Sequence, residues 1–448
     1  MKKEKPYGIT SGGEKLAYAI GDLGSNFVWT FTSSFLTLYY TDSVLMSAGI
    51  IGTIMLVARL VDGASDIAMG MLIEKTRTKI GKARPWFGGS ILPLVIIQLL
   101  VFNVPGSMSI GAKTTWIIIT YLLLTAVAYT ANNLSYHAML SRISLDSEDR
   151  NKVSSIRGIF AFLAGLVIAI LTPILLNKFG GEKEQGAWTV TAIVYGVFCL
   201  VFQVICFFGT KEKISCFDEK NEQKKETPNI KNGLRELFHT KYFYISVLVF
   251  IFTYILNGLT LATSVYYARD VLNNSGLYSI IAVVCVLSVV LGMVFAPKLF
   301  KKFGKKNVMI SGSILGIVGC VVGLTGAYNP GNVILATAIN GLGLSPYVAG
   351  LFTFAPDIIE LLENKTGSRY EGLVTSVNSV GTKVGTGLAS AAIGWVLAIG
   401  MYDGALEVQP VSALTAEIVL LFVIPLVLDV CSAICMLFWD MDKQLGRK

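Results

Sequence analysis

The chain has 448 residues, 53% of them hydrophobic and 15% charged, and a mean hydropathy of +0.64. A soluble globular domain carries about 25% charged residues. A chain this long and this poor in charge therefore has the bilayer as its expected solvent, which excludes an ordinary soluble enzyme. The net charge is +8, but the basic residues stand in short clusters between apolar runs. They lack the aromatic–basic interleaving of a nucleic-acid surface, so no nucleic-acid partner is expected.

The N-terminal MKKEKPYGITSGGEK lacks a signal-peptide core, so the first apolar segment is expected to be kept as a spanning helix. Crossing a ~30 Å hydrocarbon layer takes roughly 20 apolar residues. About twelve segments qualify, over 16–41, 48–72, 87–104, 115–141, 155–177, 188–209, 242–264, 278–297, 308–328, 332–354, 373–399 and 414–439. Small residues at close spacing, as in Ala391-Ala392-Ile393-Gly394, let such helices approach one another in lipid.

Basic residues concentrate in alternate loops. Lys75, Arg77, Lys79, Lys82 and Arg84 follow the second segment; Arg142, Arg150 and Lys152 follow the fourth; Lys298, Lys301, Lys302, Lys305 and Lys306 follow the eighth. The other loops hold only Lys113, Lys178, Lys183 and Arg269, so both termini are expected to be cytoplasmic. Residues 210–240 form a polar stretch that reads as a cytoplasmic linker with one short surface helix around Leu234–His239. TKIGKAR after the second segment is echoed by KKFGKKN after the eighth, with Gly81 and Gly304 half a chain apart. The expectation is an all-α membrane protein of two six-helix bundles, 1–209 and 241–448, joined by that linker.

A charge inside the membrane costs a few kcal/mol, so each one is a candidate functional residue. In the second segment, LVARLVDGASDIAMG, Asp62 and Asp66 are one turn apart with Ser65 on the same face. Two facing carboxylates need a counter-charge: a bound cation, a proton, or a basic side chain such as Arg59 or Lys383. Carboxylates with a hydroxyl suit Na⁺, as they suit other hard cations. In the fourth segment Thr130, Asn133 and His137 share a polar face; Asp22 and Asn26 do so in the first, with Asp22 near the end of its segment. Arg157 opens the fifth segment, and Lys383 lies deep in the eleventh with Asn378, Ser379 and Thr382. Amides, hydroxyls and rings such as Trp29, Tyr39, Tyr40 and Tyr136 suit a polyhydroxylated ligand.

His137 and His239 are the only histidines, so no histidine metal cluster is expected. Six of the seven cysteines (Cys199, Cys206, Cys285, Cys320, Cys431, Cys435, but not Cys216) lie in apolar runs and read as small buried hydrophobes. No phosphate-binding GxxxxGK[ST] loop, GxSxG elbow or HExxH motif occurs, which leaves an ion gradient to drive uphill transport. No organic cofactor and no enzymatic activity are expected.

AYAIGDLGSN, FLTLYYTD, ARLVDGASDIAMG, RTKIGKARPW and DIIELLENKTGSRYEG together resemble the glycoside–pentoside–hexuronide:cation symporters of the major facilitator superfamily, over nearly the whole chain. The resemblance implies a cation site at Asp62, Ser65, Asp66 and Thr130. It implies a sugar site at Asn26, Asn133, His137, Arg157, Asn378, Ser379 and Lys383. Ser65 stands where the melibiose permease, a member of that family, has Asn, which leaves both Na⁺ and H⁺ open. Asn26 and Asn133 stand where it has aspartates, and His137 where it has tryptophan. The expected activity is cation-coupled sugar symport by alternating access, in a bacterial-type cell membrane, by a monomer. A neutral pentoside or glycoside and a hexuronide both remain open. A lysolipid carrier of the same superfamily and a sugar sensor are the competing readings.

Overall fold

The computed structural model describes residues 10–144, 146–213, 235–366 and 371–444. In hydrocarbon no water satisfies a backbone N–H or C=O, and a helix pairs them all within itself. The described residues are accordingly helical nearly throughout, with one isolated β-bridge between Thr78 and Gly81. The first six long helices are α1 (Gly12–Leu38), α2 (Ala48–Lys75), α3 (Arg84–Val101), α4 (Ile110–Ile143), α5 (Ser147–Lys178) and α6 (Gln185–Gly209). Next come α7 (Lys241–Asp270), α8 (Leu277–Phe303), α9 (Lys305–Thr325), α10 (Pro330–Thr366), α11 (Glu371–Ile399), α12 (Val411–Leu437) and the short α13 (Met441–Gln444).

Eleven of these helices are long and apolar enough to cross a membrane. The exception among the long ones is α1, which at 27 residues has the length but is diluted by Asp22, Ser25, Asn26 and its hydroxyl residues. Large apolar side chains such as Ile67, Ile96, Ile174 and Val294 stand exposed on the helices. Lipid, not water, solvates such a face.

Two predicted boundaries move. Helix α5 begins at Ser147, ten residues before Arg157, so Arg157 lies in its third turn and does not open the helix. Asp146 supplies the reason, because its carboxylate accepts the Asp149 N–H at 3.0 Å and caps the helix in a polar stretch ahead of the apolar one. Helix α10 runs on through DIIELLENKT to Thr366, past the expected end at 354. That extension buries Ile358, Ile359, Leu361 and Leu362 in a core with Tyr242 and Trp439. The short helix expected near His239 is described from residue 235, and its Leu237 plugs into the same core, so the segment is anchored by packing.

The chain divides into two compact units. Unit one is Met1–Met46 with Val57–Gln223; unit two is Ser47–Leu56 with Lys224–Lys448. In unit one, Tyr18 and Tyr136 stack at 4.3 Å, and each hydroxyl donates to the other's backbone carbonyl at 2.8 and 2.7 Å. Above them Asn132 and Gln203 exchange side-chain amide bonds of 2.7 and 2.9 Å, with Ser25 and Ser90 attached. This buried network ties α1, α3, α4 and α6 by satisfying every polar tip it brings inside. In unit two, small residues set the spacing: Gly394 lies against Gly52, so that an added Cβ would come within 2.7 Å of the Gly52 Cα.

Candidate functional site

The expected acidic pair lies in unit one. Asp62 is 5% exposed, while Asp66 and Ser65 are half-buried on the same face of α2. Helix α4 meets that face with Thr130, whose Oγ1 stands 2.7 Å from Asp62 Oδ1 and 3.2 Å from Asp66 Oδ1. Ser65 Oγ is 3.3 Å from Thr130 Oγ1 and 2.9 Å from its own helix's Asp62 carbonyl. Thr130 reaches this point because the turns before it, Leu123–Tyr129, form a π-helix, and its hydroxyl also lies 3.0 Å from the Thr125 carbonyl. Such wide turns are frequent at functional sites. One hydroxyl proton thus faces three acceptors. If it turns to Thr125, the Thr130 lone pairs join those of both carboxylates around a common point.

Arg59, one turn before Asp62, supplies a fixed positive charge. Its Nη1 is 3.9 Å from Asp62 Oδ2, and its guanidinium lies over the Trp29 ring at 4.1 Å. Arg59 Nε and Nη1 make no hydrogen bond to a described residue, so the aromatic face holds the group. With both acids ionised, Arg59 offsets part of the negative charge on this face.

The second cluster lies beside it in the same unit. Trp29 stacks on Tyr129 at 4.4 Å, and Asn133 Nδ2 donates to the Tyr129 hydroxyl at 3.3 Å. Asn26 Nδ2 donates to the Asp22 carbonyl at 2.8 Å. Arg157 Nη1 donates to His137 Nδ1 at 2.7 Å, and Arg157 Nε stands 3.9 Å from Asp22 Oδ2. Arginine has only donors, so the accepting imidazole is neutral, its proton on Nε2. Asp22 therefore belongs to the cluster despite its expected place near a helix end. The structure places Asn26, Asn133, His137 and Arg157 in one unit, with the stacked Trp29 and Tyr129 in the same unit. Reasoning from the sequence missed Tyr129. The available signal was its position four residues before Asn133, one turn away on the same face.

In unit two, Lys383 is half-buried on α11. The side chains of Asn378 and Ser379, also on α11, lie outside the described residues. Among the described residues no group of three or more His, Cys, Asp or Glu side chains forms a metal cluster.

A separate carboxylate network closes one end of unit one. Glu212 accepts the backbone N–H groups of Lys82, Ala83 and Arg84 at 2.8–3.0 Å and Arg142 Nε at 2.6 Å, capping the start of α3. Gly81, at φ +123°, leaves room there that a Cβ would fill. Asp149 accepts Thr10 Oγ1 at 2.6 Å, Ser144 Oγ at 2.7 Å and Lys15 Nζ at 2.5 Å. Burial pushes its carboxyl up, but the Lys15 ammonium and these hydrogen bonds outweigh burial and hold it well below the usual carboxylate range.

Among the described residues, helices long and apolar enough to cross a membrane gather paired charges between them, an arrangement that suits a membrane transporter. A family model described as MFS/sugar transport protein matches residues 17–443, and the chain belongs to that family. It is 31% identical over 436 residues to the isoprimeverose transporter of Lactiplantibacillus pentosus, covering 96% of this chain and 89% of that one. It is 26% identical over 389 residues to a glucuronide carrier protein homolog of Escherichia coli (strain K12), covering 86% and 83%. Among solved structures the fold is similar to a D-xylose-proton symporter, with TM-score 0.70, 14% identity, and 96% and 97% of the two chains covered. The expected resemblance to the sugar:cation symporters is borne out. The chain is a secondary sugar transporter of the cell membrane, not an enzyme.

Proposed function

We propose that the chain is a cation-coupled symporter of a neutral glycoside. The coupling cation, Na⁺ or H⁺, binds at Asp62, Ser65, Asp66 and Thr130. The observation that carries this reading is Thr130 Oγ1 placed 2.7 and 3.2 Å from the two carboxylates. The cation offsets carboxylate charge, frees the Thr130 proton to turn to Thr125, and settles α2 against α4. Sugar then binds to Asn26, Asn133, His137 and Arg157, beside the Trp29–Tyr129 stack. Asn378, Ser379 and Lys383 complete the site, as the family resemblance implies. Transport proceeds by alternating access, from a monomer in the bilayer with both termini cytoplasmic. Asp22 beside Arg157 supports the neutral substrate, since that guanidinium already has a carboxylate at 3.9 Å and offers little net charge to an acidic sugar. The similarity to an isoprimeverose transporter supports the glycoside class.

The test is binding to purified protein, read by tryptophan fluorescence across a panel of neutral glycosides and hexuronides, with Na⁺, Li⁺ or neither, at several pH values. Tighter binding of a neutral glycoside with Na⁺, or with falling pH at constant Na⁺, supports the reading. Linkage requires the sugar to tighten the cation by the same factor. Binding of hexuronides alone refutes the neutral substrate, and sugar binding indifferent to both Na⁺ and pH refutes the cation site.

A further inference from the structure

Unit two holds a partly open, mostly apolar cavity of about 20 Å³, whose polar lining is Thr260 of α7, Cys285 of α8, Asn340 of α10 and Asp429 of α12, set among Leu256, Leu344 and Pro425. That volume holds about one water molecule. Asp429 lies well inside α12 and is 6% exposed. Among the described residues it has no ion-pair or hydrogen-bond partner. Its carboxyl rests against the backbone of Gly316 on α9, where an added Cβ would collide with Oδ2. One turn along α9, Gly319 makes the same room for Asn340 Oδ1, which accepts Cys320 Sγ at 3.8 Å. Two glycines thus admit two polar side chains where an apolar helix face would otherwise close.

The groups around Asp429 carry no compensating charge. Cys320 faces it from α9 and Tyr347 from α10, the latter with its hydroxyl 2.6 Å from Ser313 Oγ. Cys285 lines the cavity from α8, while α7 offers Thr260, whose hydroxyl donates to the Leu256 carbonyl at 2.9 Å and keeps lone pairs free. Cys431 and Cys435 are the other titratable groups near it on α12. No Lys, Arg or His lines the cavity. A bare carboxylate in this setting costs several kcal/mol, and a proton removes that cost. A metal cation is a poorer fit, because three side chains offer fewer oxygens than a hard cation gathers.

We propose that Asp429, Asn340 and Thr260 form a proton-binding site in unit two, separate from the acidic pair of unit one. A water in the cavity is held by Asn340 and Thr260 and delivers the proton. As hydronium it breaks one O–H bond, the carboxylate oxygen of Asp429 forms one, and neutral water remains. Proton occupancy of unit two is then a second ionic input to the transporter, whatever ion unit one binds.

Infrared difference spectra of the full chain in lipid nanodiscs test this without sugar, so the result does not depend on the symport reading. Between acidic and alkaline pH, a protonated-carboxyl C=O band should appear and vanish. Asp429→Asn should remove that band, Asp429→Glu should move its frequency, and Asp62→Asn should leave it in place. If Asp429→Asn fails to fold, the shift in Asp429→Glu carries the assignment. The proposal is overturned by a band that survives Asp429→Asn or is unmoved in Asp429→Glu. It is equally overturned if Asp429 shows no change of ionisation between pH of about 4 and 10, or if Na⁺ at fixed pH abolishes the band.

Discussion

Thr130→Val removes one hydroxyl from the meeting point of two carboxylates and little else. Valine keeps the branched shape and fits the helix. What disappears is the 2.7 Å donation to Asp62 Oδ1 and the oxygen that would face a bound cation. A hydrogen bond to a charged group is worth about 1.5–3 kcal/mol, and each decade of affinity is about 1.4 kcal/mol. The two coupling ions respond with opposite signs. A metal cation loses an oxygen ligand, so the half-saturating Na⁺ concentration should rise about 10- to 100-fold by that conversion. A proton instead gains, because the ionised carboxylate has lost its donor; the pH midpoint of proton-linked binding should rise by about 1–2 units. The assay is tryptophan fluorescence of sugar binding, titrated with Na⁺ at fixed pH and with pH at fixed Na⁺. Unchanged titrations along both axes would refute the placement of Thr130 in the cation site.

Arg59→Gln should act in the opposite direction on Na⁺, since removing a neighbouring positive charge strengthens cation binding. The half-saturating concentration should fall at least about 10-fold, and a rise would mean that Arg59 only holds the fold. Gly394→Ala places a methyl within 2.7 Å of Gly52 Cα and should destabilise by about 1–3 kcal/mol through overpacking. Gly165→Ala on α5, with nothing within 4 Å of the added Cβ, should leave the melting temperature unchanged or raise it. Asp149 has its carboxyl held low in the folded chain. Its contribution is therefore full above the ordinary carboxylate range and is lost as pH falls below that range. Asp149→Asn should lower stability at neutral pH and flatten the acid limb of the melting profile; an unchanged limb would show that Asp149 has no part in it.

Much of the candidate site was legible because the membrane makes polar residues conspicuous. Asp62, Ser65 and Asp66 announce themselves by standing one turn apart in an apolar run, and Asn133 and His137 by sharing the helical period of Thr130. Partners across helices were not legible. Helical spacing predicts a face, not the neighbour that meets it, so the pairing of Arg157 with His137 and Asp22 had to be observed. Tyr129 was hidden for a related reason: in a hydrophobic segment an aromatic ring looks like lipid-facing or core mass until a stacking partner at 4.4 Å gives it a role. Asn132 shows the reverse. It sits beside Asn133 with the same chemistry, yet a rotation of about 100° per residue turns it into the buried network with Gln203.

By itself the sequence determined the class of solvent, the helical composition, the number of long apolar segments to within their ends, and the acidic face of α2. These follow from local quantities: hydropathy over a window, charge in the loops, and spacing along one helix. Tertiary structure decided which acid meets which hydroxyl, that Arg59 lies over Trp29 beside Asp62, and that Asp429 borders a water-sized cavity opposite Gly316. Those facts depend on the π-turns that rotate α4, and on glycines that let backbones approach. Both act between segments far apart in the chain, where no periodicity records them.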